Sequence, residues 1–221
     1  MGEIKKIAIH AGHAPANSKA CGAVGFLNES TIAREVCQIV AEKLARMGYE
    51  VKDCTCNSSN YSQSSILKNI VDKTNAFNPD ISISIHANAA NGLARGVECF
   101  AYNDKTVTNC ICANICNNIA SLGYRNRGVK YNKDLYVLRK IPAPSLLVEM
   151  FFCDNKDDCA LYDPELIANA IIHGITGKKA DEYETASSLY RVQVGAFKSY
   201  ENAQRLKAEL ETEGYQAFVT E

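Results

Sequence analysis

The feature that most constrains the fold is the alternation of short, β-branched apolar runs with segments whose apolar residues recur at helical spacing. The sequence predicts helices over residues 29–47, 64–77, 106–122 and 164–175, a short extended piece at 135–138, and strands over residues 4–10, 49–53, 80–86, 97–102 and 145–152. Strands that alternate with helices in this way favour an α/β fold, in which a mostly parallel, twisted sheet carries helices on both faces. The near-continuous apolar run at 145–152 is typical of a buried central strand.

The character of the sequence changes after Gly177. Residues 178–188 are polar and without periodicity, which predicts a linker between a main domain of residues 1–177 and a C-terminal segment of residues 189–221. Within that segment the pattern predicts a small βαβ-like unit: a strand over 190–197, an amphipathic helix over 199–214 and a second strand over 216–221. A unit this short cannot hold a sizeable core alone, so we interpret it as part of a domain.

Composition narrows the functional classes. The chain has 221 residues, 47% of them hydrophobic and 22% charged, which supports a packed core. Its 24 Lys and Arg are balanced by 25 Asp and Glu, so no basic face for nucleic acid is expected. No apolar run reaches about 18 residues, and we therefore expect no membrane-spanning helix. The apolar stretch at the N-terminus is shorter than a signal-peptide core, so we expect synthesis in the cytoplasm.

The ten cysteines have two interpretations. Several lie inside apolar patterns, where a free thiol acts as a small buried hydrophobe. The spacing of Cys110, Cys112 and Cys116 invites a metal site, but Cys112 and Cys116 also share one face of a predicted helix. We favour the helix, since no second cysteine pair stands nearby at zinc-site spacing.

Two of the four histidines follow predicted strands and have small neighbours. His13 and His86 lie at the carboxyl ends of strands of one sheet, where active-site residues collect, whereas His173 is interpreted as a core residue of the last helix. A catalytic zinc site commonly combines two histidines with one carboxylate. Glu29, at the start of the first predicted helix, is a candidate for that carboxylate, and it is equally explained as a favourable charge at a helix N-terminus.

Glu149 lies inside the apolar run SLLVEMFF. A buried carboxylate is costly unless another group pairs with it, so an ion pair is one explanation. The other is a general base beside a metal ion, where a carboxylate takes the proton of the water that attacks a carbonyl.

Four motifs in order give a resemblance to a known family. They are IAIHAGH with His13, LNESTIA with Glu29, SIHANA with His86 and LLVEMFFCDNKDD with Glu149, supported by RGVECF, LYVLRK and PAPSLLVE. Over about residues 4–176 the sequence resembles the zinc N-acetylmuramoyl-L-alanine amidases of bacteria and their phages. The resemblance implies one Zn²⁺ ion held by His13, Glu29 and His86, with Glu149 as catalytic acid and base. It also implies cleavage of the amide between N-acetylmuramic acid and the first L-alanine of the stem peptide.

Two further residues are interpreted beside these motifs. The family often has Asp-Pro before its Gly-His pair, where this sequence has His10 and Ala11. We interpret His10 as a structural or supporting residue, because it lies nearer the strand than His13. Asn88, two residues after His86 on the same side of an extended chain, is expected to support the site by hydrogen bonds.

The C-terminal segment resembles the first half of a SPOR domain, a family that binds peptidoglycan glycan strands stripped of their stem peptides. Because a full SPOR domain needs a comparable second half, we expect that the segment pairs with another copy through an exposed strand edge. We therefore predict a cell-wall amidase of the lytic endolysin type, acting on glycan strands and stem peptides after release to the wall. The alternatives are a zinc peptidase acting on stem peptides, a non-catalytic wall-binding protein, and a hydrolase with Cys21 as nucleophile.

Overall fold

The computed structural model describes residues 4–104, 108–180, 194–215 and 217–219. The chain forms two compact units, Met1–Ala186 and Ser187–Glu221, and each is described by itself.

The first unit is built on a six-stranded sheet. Its strands are β1 (Lys6–Ala11), β2 (Glu50–Asp53), β3 (Ile81–Asn88), β4 (Val97–Ala101), β5 (Asn126–Tyr131) and β6 (Ser145–Phe152), in the spatial order β2-β1-β3-β6-β4-β5. Neighbouring strands are parallel except for β4 and β6, which are antiparallel. The predicted fold class, a mostly parallel sheet with helices, is confirmed.

Helices cover both faces of this sheet. They are α1 (Glu29–Arg46), α2 (Gln63–Phe77), α3 (Asn109–Ala120), α4 (Tyr136–Lys140), α5 (Lys156–Ala160) and α6 (Pro164–Thr176). The larger core cluster joins α1, α3 and α6 to one face, and a smaller cluster joins α2 and α4 to the other. Alternation along each strand decides which side chains face α2 and α4. In β3 these are Ser82, Ser84 and His86, and in β6 they are Leu147 and Glu149.

Local sequence signals explain where the two longest helices begin and end. The Asn28 carboxamide accepts a hydrogen bond from the Thr31 backbone N–H at 3.1 Å, and this N-cap starts α1. Ser62 caps α2 in the same way, and Asn78 ends that helix in the left-handed conformation, with Pro79 directly after it. This start places Glu29 in the first turn of α1.

Two parts of the first unit differ from the prediction. Residues 135–138 were expected to be extended, but Tyr136–Lys140 forms the short helix α4, which covers the sheet with Val137 and Leu138 buried. The strand β5 was not predicted, because its sequence NRGVKY is half-exposed and lacks a clear apolar alternation. For the third helix, predicted over 106–122, the first two residues lie outside the described part of the chain, and α3 is described over Asn109–Ala120.

The second unit contains the predicted amphipathic helix, α7 (Tyr200–Thr212), which has no fully buried side chain. The described residues of the two predicted flanking strands, 194–197 and 217–219, are not in strands, and the rest of both lies outside the described residues. The predicted βαβ arrangement is therefore not seen in the described residues of this unit. A strand needs a paired neighbour to satisfy its backbone groups, and these residues form no such pair. Across the described residues of both units, no helix is long and apolar enough to cross a membrane.

Candidate metal centre and active site

Three side chains predicted as metal ligands converge at one end of the sheet. His13 lies in the turn after β1, His86 lies near the end of β3, and Glu29 is the first residue of α1. The strands β1 and β3 are parallel neighbours, so their carboxyl ends meet. One nitrogen of each ring and a Glu29 oxygen all lie within 4.8 Å of one another. Glu29 Oε1 lies 3.2 Å from His13 Nε2 and 2.9 Å from His86 Nδ1.

Two glycines make room for this convergence. A Cβ atom on Gly12 would collide with the His86 imidazole. Gly22 has a φ of +79°, and a Cβ there would meet the Glu29 carboxylate and the His13 ring. His13 itself has a backbone φ of 25°, which residues other than glycine rarely adopt. The turn between β1 and α1 is therefore shaped around the three side chains.

Glu29 is held as a carboxylate by its surroundings. It accepts hydrogen bonds from the backbone N–H of Ala23 at 2.8 Å and of Ala87 at 3.3 Å. Burial by itself raises the pKa of Glu29, but hydrogen bonds and charge from His13 and His86 outweigh it, and the pKa falls well below its usual range. Its position in the first turn of α1 also suits a negative charge, so both explanations offered from the sequence apply to one residue.

A chain of polar side chains orients His86 from the side opposite Glu29. His86 Nε2 lies 3.1 Å from Ser84 Oγ, which in turn lies 3.2 Å from His10 Nδ1. His10 is fully buried, and burial together with the charge of His86 lowers its pKa to about 3, so it is neutral near pH 7. The structure thus places His10 as a support behind His86. Sequence reasoning missed Ser84, although the strand alternation that puts Ser84 and His86 on one face was readable.

Glu149 lies beside the three converging residues. In the β3–β6 register it is the direct partner of His86. Its Oε2 atom is buried without a hydrogen-bond partner among the residues that the structure describes. Burial first, and then the charges of Glu29 and Glu98, raise the pKa of Glu149 well above its usual range, against a smaller opposing effect of Lys130. Since no ion pair to Glu149 is found within the described ranges, the ion-pair explanation for this buried carboxylate has no support.

A second buried carboxylate, Glu98 on β4, was not predicted. It is 3% exposed and is the antiparallel partner of Glu149 across β4 and β6. Its Oε2 accepts from Arg127 Nε and Lys130 Nζ, and its Oε1 accepts from the Asn88 side-chain amide at 3.0 Å. Asn88, expected to support the site by hydrogen bonds, therefore connects it to Glu98. The sequence signal was the charged residue in the apolar run GVECF.

A cavity of about 390 Å³ lies between the sheet and the helices α2 and α4. The three candidate metal ligands line this cavity together with Ser84, Asn88 and Glu149. Its walls combine apolar side chains with two polar groups, and they are formed by Gln63, Leu67, Ile70, Leu135, Tyr136 and Val137. A cavity of this size, lined in this way, is a typical small-ligand site.

The donor set fits a catalytic zinc ion. Two imidazole nitrogens and one carboxylate oxygen are a known zinc set that leaves a fourth coordination position for water or substrate. The His86 nitrogen that faces Glu29 is Nδ1, and with a metal bound there Nε2 would carry the proton and donate to Ser84, as ligating histidines commonly do. Within the described residues no other cluster of metal-ligating side chains was found, and Cys112 and Cys116 are buried on α3 as a helix face.

Comparison with known proteins gives a consistent result. A family model described as N-acetylmuramoyl-L-alanine amidase matches residues 7–177, and a SPOR domain model matches residues 184–221. The N-acetylmuramoyl-L-alanine amidase CwlM of Bacillus licheniformis is 30% identical over 158 residues, which cover 68% of this chain and 61% of CwlM. Two Clostridium perfringens proteins are 32% and 34% identical, and the chain spans only 53% and 55% of their length.

Solved structures show the same similarity for the first unit. The catalytic domain of the CD27L endolysin, which targets Clostridia Difficile, superposes with a TM-score of 0.73 at 28% identity, covering 79% of this chain and 98% of that domain. The CwlD amidase from Clostridioides difficile, solved in complex with the GerS lipoprotein, superposes with a TM-score of 0.69 at 26% identity, covering 83% of this chain and all of that one, at 100%.

Proposed function

This chain belongs to the N-acetylmuramoyl-L-alanine amidase family, and on that premise we propose that it is a zinc-dependent hydrolase of bacterial peptidoglycan. The bond cleaved is the amide between N-acetylmuramic acid and the first L-alanine of the stem peptide. The observation that carries the proposal is the convergence of His13, Glu29 and His86 within 4.8 Å, beside the partly buried Glu149, whose Oε2 atom has no hydrogen-bond partner in the described residues.

The three converging side chains would hold the metal. When bound, zinc supplies Lewis acidity, which polarises the amide carbonyl and makes a water molecule more acidic. Glu29 brings a full negative charge to the site, because its pKa is held well below its usual range. Ser84 contacts His86 Nε2 and so orients the ring, which would leave Nδ1 as the nitrogen that binds the metal.

Glu149 performs the proton transfers. Its carboxylate takes a proton from the water that attacks the carbonyl carbon, as a C–O bond forms. The same carboxyl then donates that proton to the amide nitrogen as the C–N bond breaks. The products are a muramic acid carboxylate and a free peptide amine. Burial and the charges of Glu29 and Glu98 raise the pKa of Glu149, which strengthens its carboxylate as a base toward the attacking water.

The C-terminal unit supports a role at the cell wall. We propose residues 1–177 as the catalytic domain, 178–188 as a linker and 189–221 as a SPOR-like segment for glycan strands, supported by the family match over 184–221. Pairing of this segment with a second copy is part of the proposal. So is a lytic role, in which the protein is made in the cytoplasm and reaches the wall on release, and it is supported by the likeness to an endolysin catalytic domain.

The decisive experiment follows the digestion of purified peptidoglycan by the full chain. We expect loss of turbidity, inhibition by EDTA, recovery on addition of zinc, and near-complete loss of activity in Glu149→Ala. Product analysis should show peptides that begin with L-alanine and intact glycan strands. Cleavage within the stem peptide would instead identify a peptidase. Activity that resists chelation would refute the metal site, and wall binding without any product would identify a non-catalytic binding protein.

A further inference from the structure

The carboxylate of Glu98 organises two cations at the edge of the proposed active site. Its Oε2 receives both Arg127 Nε and Lys130 Nζ, which come from the edge strand β5. One buried carboxylate therefore holds two cationic side chains in place. Because Glu98 is 3% exposed and is also held by Asn88, the two cations are fixed by an anchor that cannot swing into solvent.

Arg127 keeps unused hydrogen-bonding capacity. Only its Nε bonds to Glu98, and neither of its two Nη groups has a hydrogen-bond acceptor in the part of the chain that the structure describes. Its guanidinium lies over the Phe152 ring, 4.9 Å from the centroid, which fixes the plane of the group. The side chains of Arg127 and Lys130 are 27% and 39% exposed, so both remain reachable from solvent.

We propose that Arg127 and Lys130 form a binding site for a carboxylate on the peptide part of the substrate. The planar fork of a guanidinium matches a carboxylate with two parallel hydrogen bonds, and the ammonium adds a point charge beside it. The proposal rests on the proposed function, since it requires that the cavity binds an acyl peptide. It extends that function by assigning selectivity for an acidic stem.

The strand register places this pair at a suitable distance. His86, Glu149 and Glu98 follow one another across β3, β6 and β4, and Arg127 lies on β5, the next strand. Neighbouring strands are about 4.8 Å apart, so the pair lies roughly 10 Å beyond Glu149. An extended peptide advances about 3.3–3.6 Å per residue, and the recognised carboxylate therefore belongs to the second or third residue after the cleaved amide.

A series of contacts connects Arg127 with the cavity. Asn88 and Glu149 line the cavity, and Glu98 contacts Asn88 and pairs with Glu149. Phe152, under the Arg127 guanidinium, is the β3–β6 partner of Asn88. A peptide that leaves the cavity past Asn88 would therefore come next to the Arg127 guanidinium.

The test uses two N-acetylmuramoyl peptides that differ only at the carboxylates of the second and third residues, which are free acids in one and carboxamides in the other. For the wild-type chain we expect kcat/KM to be about tenfold higher for the free acid, equivalent to ~1.4 kcal/mol. The difference should lie mainly in KM. In the double variant Arg127→Gln/Lys130→Gln the ratio of the two kcat/KM values should approach one.

One single variant and a control complete the test. Lys130→Gln leaves Arg127 to pair with Glu98 and should reduce the ratio only in part. Arg46→Gln removes an exposed cation of α1, paired with Glu42, and should keep the full ratio. A wild-type ratio near one, or a double variant that keeps the preference, would overturn the carboxylate site while leaving the amidase proposal intact. No cleavage of either substrate would overturn both.

Discussion

Glu149 lies directly opposite His86 in the register of two parallel strands, and the two side chains face the same cavity. Because β3 and β6 are central strands of the sheet, backbone hydrogen bonds between them fix the position of Glu149 relative to His86. The relationship places Glu149, the proposed proton acceptor, beside the proposed metal site without making it a ligand.

Replacing Glu149 with glutamine should separate catalysis from metal binding. Loss of a general acid and base lowers kcat by roughly 100- to 10,000-fold. Zinc content should stay at wild-type level, since the ligand atoms of His13, Glu29 and His86 are untouched. Turnover and metal analysis of one preparation check this, with Glu42→Gln on the exposed face of α1 as the control. A variant that loses its zinc would show that Glu149 is part of the metal site instead.

Replacing Ser84 with alanine should weaken metal binding while leaving the fold intact. Ser84 orients His86, and loss of such a supporting hydrogen bond lowers metal affinity by about 10- to 100-fold. Ser82 is the matched control, because it is a buried serine on the same strand face without a hydrogen-bond partner in the described residues. Zinc competition titrations of Ser84→Ala and Ser82→Ala make the comparison. Equal affinities in the two variants would contradict the orienting role.

Replacing Gly22 with alanine should disrupt the site more than its backbone conformation alone explains. Left-handed φ costs a non-glycine residue about 1 kcal/mol, and in Gly22→Ala the new methyl group also meets Glu29 and His13. Gly48 is the control, because its φ is +91° and its surroundings are open. We expect both variants to lose stability in urea unfolding, and only Gly22→Ala to lose zinc. Loss of zinc in both would argue for a general effect of unfolding.

The carboxylate of Glu98 should make stability depend on acid pH. Burial raises its pKa, but Lys130 and Arg127 outweigh that effect, so in the folded chain its pKa lies below the ordinary value of 4.5. A depressed pKa stabilises the fold above the unfolded pKa, and this contribution is lost as pH falls through the folded pKa. Near pH 7, Glu98→Gln should lower the free energy of unfolding by about 1–3 kcal/mol.

That difference between wild type and Glu98→Gln should shrink as the pH falls below about 4.5. Urea unfolding of the metal-free proteins at neutral and acid pH measures it, and the removal of metal keeps zinc release from contributing. A difference that is the same at both pH values would mean that Glu98 stabilises by packing and not by its charge.

Zinc should stabilise the folded chain by mass action. A ligand at 100 times its Kd adds about 2.7 kcal/mol to the free energy of unfolding, so Tm should rise when zinc is added to the metal-free protein. Glu29→Gln removes the charge from the site and should abolish most of this rise. The same increase in Tm in wild type and Glu29→Gln would place the zinc elsewhere.

Five of the six strands, the four longest helices of the first unit and the candidate residues His13, Glu29, His86 and Glu149 could be predicted from the sequence alone. Apolar period and capping signals are local, so the helix starting at Glu29 and the central strand around Glu149 were predictable from neighbours in the chain. The two histidines were readable because each follows a strand of the same sheet. The short helix α4 was not, because in five residues burial against the sheet outweighs local propensity.

The positions of these residues relative to one another depend on the tertiary structure. Strand order and register put Glu149 between His86 and Glu98, and no local signal specifies which strands pair or that β4 runs antiparallel to β6. The same holds for His10 against Ser84 and for Arg127 on Glu98, two pairs that are 74 and 29 residues apart in the chain. Such contacts form because the packed sheet brings distant residues together, and their energies depend on burial that the sequence does not show.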